Sequence, residues 1–134
     1  MKTILVLENE PLVMKIMRQV LKQYEVLGTV TAEEAVRAFR ERHNGIDLLV
    51  ADLTLPISSG IQVALLLRSE KADLPVILTS GYPVSDWTGR DYSDFARLGS
   101  TSVVFLQKPF QLHALSNAVA AFIGSPQPEK ARTA

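Results

Sequence analysis

Short apolar runs recur along this chain, and the segments between them carry helical periodicity. The runs are residues 4–7 (ILVL), 48–51 (LLVA), 76–78 (VIL) and 103–106 (VVFL), with a weaker one at 26–30 (VLGTV). None alternates apolar with polar residues, so none reads as a strand with one wet face. Continuous runs of this length, rich in Val, Ile and Leu, suit strands buried on both faces of a parallel sheet. Between them, Leu12, Val13, Ile16, Met17, Val20 and Leu21 fall on one helical face. Ala32, Ala35, Val36 and Phe39 do the same, as do Ile61, Ala64, Leu65 and Arg68, and then Leu112, Leu115, Val119 and Phe122. Strand and helix in alternation specify an open α/β fold with right-handed crossovers.

The punctuation agrees with that reading. Pro11 stands where a first helical turn begins. Thr31 and Glu34 form a Thr-x-x-Glu capping box, and Gly45 is placed to stop the second helix. The stretch from Gly81 to Ser102 holds Trp87, Tyr92 and Phe95 but also Pro83, Gly89 and Gly99. A fourth helix belongs there by alternation, and Gly89 predicts that it is broken, short or displaced. The three aromatics read as a small satellite core rather than a partner patch. Residues 124–134 (GSPQPEKARTA) carry two prolines and no apolar periodicity, so they read as a disordered tail or linker stub after a single domain at 1–123.

Composition removes several function classes. With 134 residues, the chain is long enough for one core without staples. Lys plus Arg equals Asp plus Glu at 14 each, against a dedicated nucleic-acid or anionic-membrane binder. Cysteine is absent, which excludes disulfide scaffolds, thiol nucleophiles and Cys-ligated zinc. The longest apolar run is six residues (118–123), far short of a membrane span, and the N-terminal run is cut by Glu8 before it could serve as a secretory signal. The expected location is the cytoplasm.

In open α/β sheets, ligands bind beyond the carboxyl ends of the strands. The residues that follow the runs are therefore the informative ones. Glu8, Asn9 and Glu10 follow the first run, Asp52 the third, Thr79 and Ser80 the fourth, and Lys108 the last. Carboxylates and an amide oxygen suit a hard ion such as Mg²⁺, and a hydroxyl with an ammonium suits phosphoryl oxygens. A lone Asp after a strand is more often a cap or a loop residue. Complementary residue types at four strand ends together point to a phosphate-and-cation site. The motifs G-x-G-x-x-G, G-x-x-x-x-G-K-[ST] and G-x-S-x-G are absent, against nucleotide binding, NTP hydrolysis and a serine nucleophile. Ser58-Ser59-Gly60 reads as a helix start. His43 and His113 lack partners at meaningful spacing and read as solvated.

These residues carry a resemblance to the response-regulator receiver domains of two-component signalling. ILVLENEP at 4–11 resembles the family's first strand and acidic cluster. DLLVADLTLPISSG at 47–60 resembles its phosphoacceptor strand and loop, with Asp52 at the acceptor position. LPVILTSGYP at 74–83 and FLQKPF at 105–110 resemble the hydroxyl-bearing strand and the Lys-Pro-Phe signature, and their wording is similar to receivers of hybrid histidine kinases. The resemblance covers residues 2 to about 123. It implies a doubly wound, flavodoxin-like sheet of five parallel strands in the order 2-1-3-4-5, with helices on both faces. It implies a signalling phosphoacceptor rather than an enzyme. Asp52 takes a phosphoryl group from a sensor histidine kinase or phosphotransfer protein, and a partner-binding surface then switches. Mg²⁺ is held by Glu8, Asn9, Asp52 and the backbone carbonyl of Thr54, with Glu10 as a further candidate. Thr79, Ser80 and Lys108 contact the phosphoryl group, and Phe105 is the aromatic switch residue. One departure stands out: Asn9 occupies a place where the family usually has a metal-binding acid. That favours, as the alternative, a phosphorylation-independent receiver acting as an interaction module. A flavodoxin-like small-molecule binder shares the topology but lacks its phosphate loop here.

Overall fold

The computed structural model describes residues 1–42, 45–53, 55, 59–81, 87–99 and 101–125. Thr54, Ser58, His43 and the expected tail from residue 126 onward lie outside the described residues. Strands and helices alternate throughout: β1 (Thr3–Leu7), α1 (Pro11–Val20), β2 (Glu25–Thr29), α2 (Ala32–Glu41), β3 (Leu48–Asp52), α3 (Gly60–Glu70), β4 (Val76–Ser80), α4 (Gly89–Leu98), β5 (Val103–Gln107) and α5 (Leu112–Ile123). All pairings are parallel, in the order β2-β1-β3-β4-β5. This is the doubly wound fold that the sequence predicts.

Alternation along each strand sorts the side chains between two layers. Leu5, Leu7, Leu49, Ala51, Val76 and Leu78 face Ala35 and Phe39 of α2, Ile61, Ala64 and Leu67 of α3, and Leu98 of α4. Ile4, Val6, Leu48, Val50 and Ile77 face Met17 of α1 with Leu21 just past its end, and Leu115 and Val119 of α5. The central strands β1, β3 and β4 are buried along their whole length, which is why their sequences are apolar without alternation. Truncating one of their leucines to alanine costs about 2–5 kcal/mol.

Helix starts follow the sequence signals. Pro11 opens α1. Thr31 and Glu34 close a reciprocal capping box on α2, and Ser59 caps α3 by accepting from the Ile61 N–H. Three expectations need correction. The fourth helix is neither broken nor short: α4 runs ten residues, with Gly89 in its first position, where glycine interrupts nothing. Thr88 and Asp91 form a second capping box there, a signal present in the sequence as Thr-x-x-Asp. Gly45 does not end α2 through a left-handed conformation. The helix closes at Arg42, and Gly45 is where the chain turns tightly enough that a Cβ would meet the Arg42 carbonyl oxygen at 2.8 Å. The buried stripe of α3 is Ile61, Val63, Ala64 and Leu67, with Leu65 and Arg68 at its flank.

Candidate functional site

The same alternation that builds the two layers delivers the polar residues. Glu8, Asp52, Thr79 and Lys108 each continue the parity of the strand residues that face α1 and α5. Asp52 and Thr79 are register partners across β3 and β4. Glu8 stays in the ladder because its N–H donates to the Thr29 carbonyl at 3.0 Å. Lys108 is held just past β5 by its own N–H, which donates to the Ser80 carbonyl at 2.7 Å. Four strand ends thus place four polar side chains on one side of the sheet.

Lys108 is the hub. Its Nζ donates to Glu8 Oε1 at 2.9 Å, Glu10 Oε1 at 3.1 Å and Asp52 Oδ2 at 3.2 Å. Glu8 and Asp52 are buried, and Glu10 is exposed. Burial pushes the Glu8 carboxyl above its usual range, although Lys108 and the Glu10 N–H both favour its anion. Burial also opposes charge on Lys108, but hydrogen bonding to Glu8 and the fields of Asp52 and Glu8 outweigh it and raise its pKa. The ammonium therefore stays charged, and its attraction is shared among three carboxylates.

Thr79 is fully buried, and its Oγ1 has no hydrogen-bond partner among the described residues. An unpaired buried hydroxyl costs roughly 1–3 kcal/mol. Beside Asp52, it is poised to bond a group brought to the carboxylate. Ser80, one residue on, takes the opposite face by alternation and contributes its carbonyl to Lys108. Phe105 also faces the other layer, where its ring meets Trp87 edge-on at 5.3 Å. Trp87 in turn packs on Phe95 at 5.3 Å and Tyr92 at 5.7 Å. This aromatic group is continuous with the core on the α2–α4 side, not a separate satellite.

The acidic segment divides in an informative way. Carboxylate oxygens of Glu8, Glu10 and Asp52 all lie within 4.8 Å of one another. This hard, anionic donor set fits Mg²⁺. Asn9 and Glu8 line an adjoining cavity of about 550 Å³ with Pro11, Met14, Lys15, Arg18, Gln19 and Val30. His113 is exposed at the start of α5.

Two residues named in the sequence for helix formation have supporting roles that the sequence did not show. Gly60 lies so close to the Asp52 backbone that a Cβ there would sit 2.2 Å from its carbonyl oxygen. Only glycine lets the end of the loop after β3 fold back this tightly, and its N–H bonds the Leu53 carbonyl at 3.2 Å. The sequence shows that glycine, but not the contact requiring it. Arg68 reaches across to the carbonyls of Leu74, Leu98, Thr101 and Ser102, tying α3 to the end of α4 and the approach to β5.

Comparison with known proteins settles the family. The family model of the response regulator receiver domain matches residues 4–120. The chain belongs to the response regulator receiver domain family. The receiver is 28% identical to the crystallised receiver domain of the hybrid histidine kinase CckA, covering 90% of this chain and 98% of that one with a TM-score of 0.73. A receiver domain from Clostridium thermocellum is 25% identical, with 92% and 94% coverage and a TM-score of 0.77. Among curated proteins, it is 37% identical over 79 residues to the two-component response regulator ARR11 of Arabidopsis thaliana, covering 58% of this chain and 15% of that protein. It is 28% identical over 116 residues to ARR12 of the same plant, covering 85% of this chain and 18% of that one. The chain thus spans less than a fifth of the length of these two relatives. Receivers are signalling domains of two-component systems rather than classical enzymes. Among the described residues, no helix is long and apolar enough to cross a membrane.

Proposed function

We propose that this receiver accepts a phosphoryl group on Asp52 from the phosphohistidine of a sensor kinase or phosphotransfer protein. The observation that carries the reading is the 3.2 Å contact of Lys108 Nζ with Asp52 Oδ2, on a sheet edge shared with Glu8 and with the Thr79 hydroxyl, which is unpaired among the described residues. In the step, an Asp52 oxygen attacks phosphorus and the P–N bond breaks. The imidazole keeps the electron pair and takes up a proton. Phosphoryl transfer needs alignment and charge neutralisation more than covalent help. Lys108 supplies an ammonium that can follow charge from the carboxylate to the phosphoryl oxygens. Thr79 supplies a hydroxyl that gains its missing partner from one of those oxygens. Glu8 and Asp52 are carboxylates for Mg²⁺, with the backbone carbonyl that the family pattern assigns to Thr54. Bound there, Mg²⁺ would neutralise charge that Asp52 and the donor both carry.

The readout follows from packing. Thr79 lies in β4, and Phe105 in the adjoining β5 holds Trp87 at the start of the α4 region. Movement of Thr79 toward a phosphoryl group is passed through this contact to α4, which changes the surface offered to a downstream partner. The domain acts in the cytoplasm, where a kinase can reach it.

Asn9 sustains a second reading, a receiver that works by binding alone. Incubation with acetyl phosphate and Mg²⁺ followed by intact-mass measurement separates the two. Phosphoryl uptake by wild type and none by Asp52→Ala supports phosphoacceptance. No uptake, from acetyl phosphate or from a cognate kinase, would leave the binding module.

A further inference from the structure

The carboxylates around Lys108 are Glu8, Asp52 and Glu10, the last of which the sequence offered only as a further candidate. Glu10, at the N-cap of α1, turns its carboxylate to Lys108, and its N–H donates to Glu8 Oε2 at 3.1 Å. Asn9, between the two acids, lines the cavity on the α1–Val30 side together with Glu8, and its amide brings no charge. Three carboxylates facing one ammonium leave a net charge of −2 at the cluster. The Glu8 and Asp52 side chains are 0% and 5% exposed and fixed by their strands, whereas that of Glu10 is 60% exposed. Of the three, Glu10 can change partner at least cost. A second observation points to a ligand here: the Thr79 hydroxyl, fully buried and unpartnered among the described residues, lies beside Asp52 on the same face.

We infer that Glu10, not Asn9, completes the divalent-cation site, and that Glu10 passes from Lys108 to the incoming ion. Lys108 serves as the resident counter-charge of the ion-free domain. Once the ion takes Glu10, the ammonium is left to Glu8, Asp52 and the phosphoryl group Asp52 receives. The inference rests on the phosphoacceptor reading but concerns metal affinity alone, and so can fail separately. Hard-cation affinity follows ligand charge, so neutralising a true ligand weakens binding by at least about tenfold.

The test is calorimetric titration of Mg²⁺ into the full chain at one pH and ionic strength, for wild type, Glu10→Gln and Asn9→Ala. Circular dichroism melts confirm that each variant is folded. Glu10→Gln is expected to bind at least about tenfold more weakly, and Asn9→Ala within about twofold of wild type. Weakening by Asn9→Ala, with or without an effect of Glu10→Gln, overturns the assignment. Unchanged affinity in both variants, or no binding by wild type, overturns it too. Phosphoryl uptake, scored by intact mass on the same samples, distinguishes the two failures. Uptake with an indifferent Glu10 removes this inference alone, and Glu10-dependent Mg²⁺ binding without uptake removes the phosphoacceptor reading alone.

Discussion

Lys108 and its three carboxylates make different single substitutions do opposite things. Lys108→Ala removes the ammonium that the buried Glu8 and Asp52 share. Removing one partner of a buried ion pair typically costs roughly 3 kcal/mol, and Mg²⁺ should restore much of that. Urea melts with and without Mg²⁺ check this, and an undiminished midpoint in the ion-free variant would contradict it. Asp52→Ala leaves Lys108 paired to Glu8 and Glu10 and removes one of three like charges, so ion-free stability stays level or rises. The Glu8 carboxyl, raised by burial, weakens the fold where it is ionised. That penalty fades as pH falls through its folded pKa toward the unfolded value near 4.5. Glu8→Gln should therefore exceed wild type in stability near neutral pH without Mg²⁺, with the gap closing on acidification. A gap that widens would reverse the assigned sign. Asp52, Thr79 and Lys108 were legible in the sequence because a buried strand must end somewhere, and its first polar residue is easy to find. The sequence leaves both Asn9 and Glu10 open as ligands, because the choice between them depends on how the chain turns from β1 into α1.

At the scale of elements, the proposed switch runs outward through α4 and its neighbours. Arg68 bonds four carbonyls across the end of α3, the end of α4 and the approach to β5. Arg68→Met keeps much of the stem and loses all the donors. Losing these bonds, with the Ser102 carbonyl still accepting from the Val76 N–H, should cost about 2 kcal/mol and speed amide exchange around the end of α4. Unchanged exchange there would mean that solvent replaces the clamp freely. Trp87, edge-on to Phe105 at 5.3 Å, is the natural reporter of the switch. Its emission or quenching should change on phosphorylation of wild type, and identical spectra would count against motion in this layer. The sequence carried α4 only in part. Gly89 looked like a breaker within a helix, whereas the Thr88–Asp91 box makes it the first residue of one. Arg68 continues the spacing of an apolar stripe, and nothing local tells which carbonyls a long side chain will meet.

Across the whole molecule, one geometric rule accounts for both stability and site. Parallel strands feed their alternating side chains into two cores, and where the apolar residues stop, the same alternation sets Glu8, Asp52, Thr79 and Lys108 on a common face. The alternation of elements was legible because buried strands and amphipathic helices have distinct periods, while the strand order came only with the family resemblance. The tight approach of Gly60 to Asp52 was not, since it joins backbone segments that no pattern links. A cation that binds only the folded domain should raise its stability, by about 2.7 kcal/mol at a hundredfold excess over its Kd. The central claim is that this face makes Asp52 a cation-assisted phosphoacceptor. The most direct measurement exposes wild type to a small phosphodonor with Mg²⁺ or with chelator, reduces the acyl phosphate with borohydride, and locates the modified residue by peptide mass spectrometry. The account predicts modification at Asp52, abundant with Mg²⁺ and scarce with chelator. Modification elsewhere, or none under either condition, would contradict it.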